Sequence, residues 1–147
     1  MTHFKFRLDP ALRLRHLRTE SEQARLQELM AQQRRLENAL AALKQERAEA
    51  ADFVRSADQP VAQDLRALAL FSLGLQGRER ALEEGIVQMN AQIAEQKQQL
   101  LVAEREERSL SKLRDKRLAE WNVKAAREIE ATAQELWLAT HTTRKKP

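Results

Sequence analysis

Leu26-Gln-Glu-Leu29-Met-Ala-Gln-Gln-Arg-Arg-Leu36-Glu-Asn-Ala-Leu40-Ala-Ala-Leu43 decides the fold. Its leucines recur at alternating steps of three and four, which keeps them on one stripe of an α-helix and makes an a/d seam for a partner helix. The same frame runs outward through Leu12, Thr19, Gln33, Arg47, Ala50 and Val54, so the seam is less apolar at its ends than in its middle. Leu14 and Leu17 lie off the frame. Asp9 precedes Pro10, a pair suited to an N-cap and a first helical turn. No Gly or Pro follows until Pro60, and a first helix is expected over about 10–56.

The rest of the composition agrees. Among 147 residues there are only 3 Gly and 3 Pro, aromatics are 4%, and charged residues are 33%. A sandwich or barrel needs a turn signal every 8–12 residues, and this chain lacks them. Ala, Leu, Glu, Gln, Arg and Lys dominate, the pattern of long helices and coiled coils. Absence of Cys removes disulfides, Cys-held metals and a thiol nucleophile. No signal-peptide stretch opens the chain, and the longest apolar run, Leu68-Ala-Leu-Phe71, is far short of a bilayer span. The reading is a cytoplasmic protein without a membrane span.

Ser56-Ala-Asp-Gln-Pro60 is the one clear break, with Asp58 as the expected cap and Pro60 in the opening turn of a second helix over about 61–141. Its seam reads Val61, Leu65, Leu68, Ser72, Leu75, Glu79, Leu82, Ile86, Met89, Ile93, Gln96, Leu100, Ala103, Glu107 and Leu110. Gly74, Gly77 and Gly85 predict a bend or local softness. A short turn forces the helices antiparallel, and a turn centred near residue 58 places Leu43 beside Gly74 and Leu26 beside Ala91. On that register the first helix ends opposite about residue 109. Beyond it the apolar stripe shifts to Leu113, Leu118, Trp121, Ala125, Ile129, Thr132 and Leu136. The expected fold is therefore all-α: one domain, 1–147, formed by a two-helix antiparallel coiled-coil hairpin whose second helix overhangs at its C-terminal end, with a disordered basic tail at 142–147.

Charge is polarised. Residues 1–18 carry five basic groups and one acid, and residues 112–147 carry nine and five, whereas residues 19–111 hold twelve basic groups against sixteen acids. A hairpin brings both basic segments to one end, which favours approach to an acidic partner. No catalytic constellation, phosphate-binding loop or metal-ligand spacing occurs; His3, His16 and His141 are scattered. The reading is a non-enzyme without cofactor or metal. Lys112, Arg114, Lys116, Arg117, Lys124 and Arg127 on one helix suit phosphates, but a basic-zipper reading fails because the basic stretch follows the hairpin, and no specific nucleic-acid partner is expected.

The opening Phe4-Lys-Phe6-Arg-Leu8-Asp-Pro-Ala-Leu12-Arg-Leu14-Arg15 resembles the start of the flagellar export protein FliJ family, and Lys112-Leu-Arg114-Asp-Lys116-Arg117-Leu-Ala-Glu-Trp121 looks like the family's C-terminal segment. The resemblance implies a soluble component of the bacterial flagellar type III export apparatus, similar to the stalk subunit of rotary ATPases. It would be cytoplasmic and peripherally associated with the inner-membrane apparatus. The end bearing both termini would enter the hexameric flagellar export ATPase and stimulate it, with contacts also to the export-gate membrane protein and to export chaperones. The ring-binding candidates are Arg13, Arg15, Arg114, Lys116, Arg117, Trp121 and Lys124. The family's Phe-x3-Leu step is matched by Phe71 and Leu75 as gate contacts, although Leu75 also lies on the seam, and the tyrosines of the facing family surface are absent. The alternatives are the equivalent stalk protein of a virulence type III secretion system and a non-specific nucleic-acid-binding or scaffold coiled coil.

Overall fold

The computed structural model describes residues 3–59 and 61–144. It is all-helical, with two helices packed against each other as a hairpin: α1, Asp9–Arg55, and α2, Ala62–Thr143. By packing, the chain divides into two compact units. Unit 1 joins Met1–Thr19 to Val102–Pro147, and unit 2 is Glu20–Leu101.

The seam positions read from the sequence face inward along most of both helices. In α1, Leu12, Thr19, Leu26, Leu29, Gln33, Leu36, Leu40, Leu43, Arg47, Ala50 and Val54 are all buried or half-buried. In α2 the same holds from Leu68 through Leu110 at each named seam position. The exceptions are Val61 and Leu65, which are exposed. A two-helix interface is thin, so among the described residues few side chains are buried: Phe6, Leu29, Leu75, Ile93 and Ala103, with the polar Thr19, Glu79 and Gln96.

The pairing register departs from the expected one. In unit 2, Leu36 lies against Gly85, where a Cβ would sit 3.7 Å from Leu36 Cδ1. Arg47 meets Glu79 at 3.2 Å. Leu43 is therefore level with residues between Glu79 and Gly85 rather than with Gly74. The reason is the linker. The first turns of α2 precede any part of α1 that could cover them, which leaves Val61 and Leu65 bare. Val61 O accepts from Asp64 N at 3.0 Å and Leu65 N at 3.2 Å, so Val61, not Asp58, stands at the start of α2. Pro60 lies outside the described residues. Ser56 closes α1, its N bonding Asp52 O and its Oγ donating to Phe53 O, both at 2.9 Å.

Polar seam residues are matched with one another in this register. Gln96 Nε2 donates to Glu22 O at 3.1 Å and also to the Glu22 carboxylate, Gln33 donates to Asn90, and Arg47 donates to Glu79. Buried polar groups without partners are costly, so the pairs that satisfy Gln96 and Glu79 penalise a slipped alignment, while the exposed Gln33–Asn90 pair does not. Gly74, Gly77 and Gly85 do not break α2, which continues through all three with no positive φ. The helix also runs past the expected boundary: Thr142 and Thr143 are helical, while residues 145–147 of the predicted disordered tail lie outside the described residues.

One Glu79 oxygen, Oε1, has no hydrogen-bond partner. Arg47→Leu alone leaves the buried carboxylate unpaired and should lower unfolding free energy by about 2–3 kcal/mol in chemical denaturation. Arg47→Leu with Glu79→Leu should recover most of that loss, since replacing a buried pair by apolar groups is near neutral. A double variant as unstable as the single one would contradict the register.

Candidate functional site

Unit 1 brings the two basic terminal segments together. Ahead of α1, residues 3–6 are non-helical and residues 7–8 form a turn closed by Asp9 N to Phe6 O at 3.1 Å. This strap lies along α2. Asp9 meets Arg114 at 3.3 Å, and the Phe4 ring sits 6.1 Å from that of Trp121, tilted by 57°. Five steps of strap thus cover seven of helix, because non-helical chain rises further per residue. Phe4 and Phe6, two apart, fall on the same side of such a chain. Phe6 is 8% exposed, and the Phe-x-Phe signature is a packing device that prolongs the cover of α2 beyond the start of α1.

This corrects two expectations. Pairing does not stop near residue 109: Leu113, Leu118, Trp121 and Ala125 remain half-buried. Asp9 is not simply a cap, since Leu8 O accepts the first helical bond, from Leu12 N at 2.9 Å, and the Asp9 carboxylate holds Arg114.

The basic ring-binding candidates fall into three groups. Arg15, paired with Glu106, and Arg114 are half-buried structural ion pairs between the two chain segments of unit 1. Arg117 is exposed but paired along its own helix to Glu120 at 3.2 Å. Arg13, Lys116 and Lys124 are exposed and form no ion pair among the described residues. Trp121 is half-buried against Phe4 and also borders two grooves. One, of about 690 Å³, includes Phe4, Arg7, Leu113 and Lys124; the other, of about 700 Å³, runs along α2 through Lys124, Ala125, Glu128, Ile129, Thr132, Ala133 and Leu136.

Past Ala125 every described residue of α2 is exposed. Ile129, Leu136, Trp137 and Leu138 are between 51% and 63% accessible, a bare apolar surface on one helix. Trp137, stacked on His141 at 4.1 Å, did not stand out in the sequence because it lies one position off the Ile129–Leu136 stripe.

In unit 2 the two gate candidates separate. Leu75 is 3% exposed and belongs to the core, so it offers no surface to a partner. Phe71 is exposed and borders a groove of about 400 Å³ with Phe53, Val54 and Leu68. Among the described residues no cluster of His, Asp or Glu is arranged to hold a metal ion, and no helix is long and apolar enough to cross a membrane.

One titrating contact ties α1 to α2. His16 Nδ1 lies 2.7 Å from Glu107 Oε1. Hydrogen bonds from His16 and then Thr19 hold the Glu107 carboxyl below its ordinary range, against a smaller opposing push from burial. A lowered carboxyl pKa stabilises the fold above the unfolded value and loses that contribution as pH falls through the folded one. Glu107→Gln should therefore cost a few tenths of a kcal/mol at neutral pH, the scale of an exposed pair, and nothing once the pH has fallen through the folded-state pKa. Denaturation of both proteins across that range checks it, and a gap that widens in acid contradicts it. Phe6→Ala should lower stability by about 3 kcal/mol and shift Trp emission to the red as the strap loosens from Trp121. Unchanged emission would mean that the strap does not cover that ring.

Compared with models of protein families, with curated proteins and with solved structures, the chain matches none at a significant level.

Proposed function

We propose that the protein is a soluble component of the bacterial flagellar type III export apparatus, acting as a stalk-like activator of the hexameric export ATPase. In this role it also contacts the export gate and its chaperones. The observation that carries this reading is the end of α2: a bare apolar helix past Ala125, in the same unit as both basic terminal segments. A hairpin with such an end suits a mechanical, assembly-based role in which an exposed helix is received by a ring and lends it order. The Phe4-Lys-Phe6 opening, through which the sequence resembles the FliJ family, supports it, because here it forms the strap that holds the N-terminal segment on α2.

On this reading the parts are distributed differently from the sequence expectation. Arg15 and Arg114 hold unit 1 together, so ring contact falls to Arg13, Lys116, Lys124 and the face around Trp121, Ile129 and Leu136. At the gate, Phe71 alone of the two candidates remains available.

ATP hydrolysis by a flagellar export ATPase, measured with and without this protein over a salt series, tests the proposal. Turnover should rise, and the rise should shrink with added salt as the basic contacts are screened. Deleting residues 126–147, which leaves the strap and the paired helices intact, should remove the stimulation while most helicity is kept. No change in turnover with the full chain, or equal stimulation by the truncated one, would overturn it. Steeply salt-dependent binding to duplex DNA without any effect on turnover would favour a scaffold coiled coil instead.

A further inference from the structure

We propose that the groove between the N-terminal strap and α2 binds a short acidic segment of a partner protein, with its carboxylates set around one large apolar side chain. Two features of unit 1 lead to this ligand.

The first is an unbalanced set of charges. Elsewhere in unit 1, cations at the contact between the two chain segments meet an acid: Arg15 and Arg18 share Glu106, and Arg114 takes Asp9. The strap groove is different. Lys5 and Arg7 line it from the strap, and Arg117 and Lys124 from α2. Its one carboxylate among the described residues, Glu120, is spent on Arg117 at 3.2 Å. The contacts of Asp9 with Arg114 and of Phe4 with Trp121 set the strap antiparallel to α2. Arg7 is thereby level with about residue 117, and Lys5 with about residue 120. Docking the strap gathers four exposed cations around one acid, and Lys5, Arg7 and Lys124 form no ion pair among the described residues. These like charges repel one another, and their combined field favours an anion from outside the chain.

The second is an apolar floor. Leu8 is 40% exposed and Leu113 and Trp121 are half-buried, all three bordering the same 690 Å³ groove. A bare anion would gain nothing from that floor, whereas a leucine-sized side chain would be dried by it. Trp beside Arg is also the residue mix that concentrates binding energy at protein interfaces. A nucleic-acid strand fits less well. Trp121 is half-buried with Phe4 tilted against it, which makes it a poor platform for a base. Past Lys124, α2 presents Glu128 and Glu130, both exposed, so a longer polyanion tracking the helix would meet like charge. A short acidic segment avoids both penalties.

This site shares Trp121 and Lys124 with the face that the export reading assigns to the ATPase ring, but it does not depend on that reading and its test contains no ATPase. In Trp137→Phe, an exchange at an exposed position, Trp121 is the sole tryptophan of the full chain. That protein is titrated with a peptide of about 15 residues, about four helical turns, in which glutamates flank a central leucine. The expected result is a saturable change in Trp121 emission, with affinity falling by about 10-fold from low to physiological salt. Lys5→Glu with Arg7→Glu, and separately Lys124→Glu, should each weaken binding by at least about 10-fold, with melting temperature unchanged or raised as the repulsion is relieved. Serine in place of the peptide's leucine should cost about 10-fold as well. No saturable change would overturn the proposal. So would charge-reversed chains that bind as well as the parent, a melting temperature that falls together with affinity, or a serine peptide that binds equally well. Tighter binding of a single-stranded oligonucleotide of equal charge would assign the groove to nucleic acid and overturn it too. Stimulation of the ATPase by a chain whose groove takes no acidic peptide would remove this site alone.

Discussion

The pairing of Arg47 with Glu79 across the two helices is the contact on which the remaining geometry turns. Both residues occupy seam positions where an apolar side chain would pack better, and Glu79 is almost fully buried. A charge in that place is tolerable only opposite its partner, so the helices cannot slide by a turn without leaving a carboxylate stranded. Gln96, buried against Glu22, adds to this condition elsewhere in unit 2. Leucines would accept several registers, since one Leu layer resembles the next. The polar pairs select one, in the way that a buried Asn fixes the alignment of a coiled coil.

Two surfaces follow from that alignment. Near the linker, α2 begins before α1 can cover it, which exposes Val61 and Leu65 beside the groove that Phe71 borders. In unit 1 the non-helical strap is long enough to carry Phe4 to Trp121, and past Ala125 every described residue of α2 is exposed. An apolar helix face is stable in water only with another surface on it for part of the time. The ATPase ring proposed above would cover Ile129 and Leu136 on that face.

Much of the fold was legible because helical periodicity is a strong local signal. Leu26 through Leu43 named the seam, and the frame extended correctly to Thr19, Arg47, Glu79 and Gln96 even where the residues were polar. The register was lost by assuming a tight turn at 56–60, where the linker joins unequal helix ends. A clue to it lay in Arg47 and Glu79, two seam residues of opposite charge that meet near the linker. Candidate site residues were found by type and position, yet side-chain pairing is a tertiary property. Arg15 and Arg114 read as free basic groups until Glu106 and Asp9 were seen beside them. Leu75 satisfied both a seam and a spacing resembling a family motif, and burial decided for the seam. Phe4 and Phe6 carried the resemblance without revealing their physical task, because the strap they anchor has no periodicity to read.

The register is most directly tested by cross-linking, which the absence of native cysteine makes clean. Two variants are compared under mild oxidation: Leu36→Cys with Gly85→Cys, and Leu43→Cys with Gly74→Cys. The structure predicts rapid intramolecular disulfide formation in the first, where the two positions face each other, and little in the second, where they lie more than a helical turn apart along the axis. Efficient closure of Leu43→Cys with Gly74→Cys and none of Leu36→Cys with Gly85→Cys would contradict the polar-pair alignment, and with it the extent of α2 left bare for a partner.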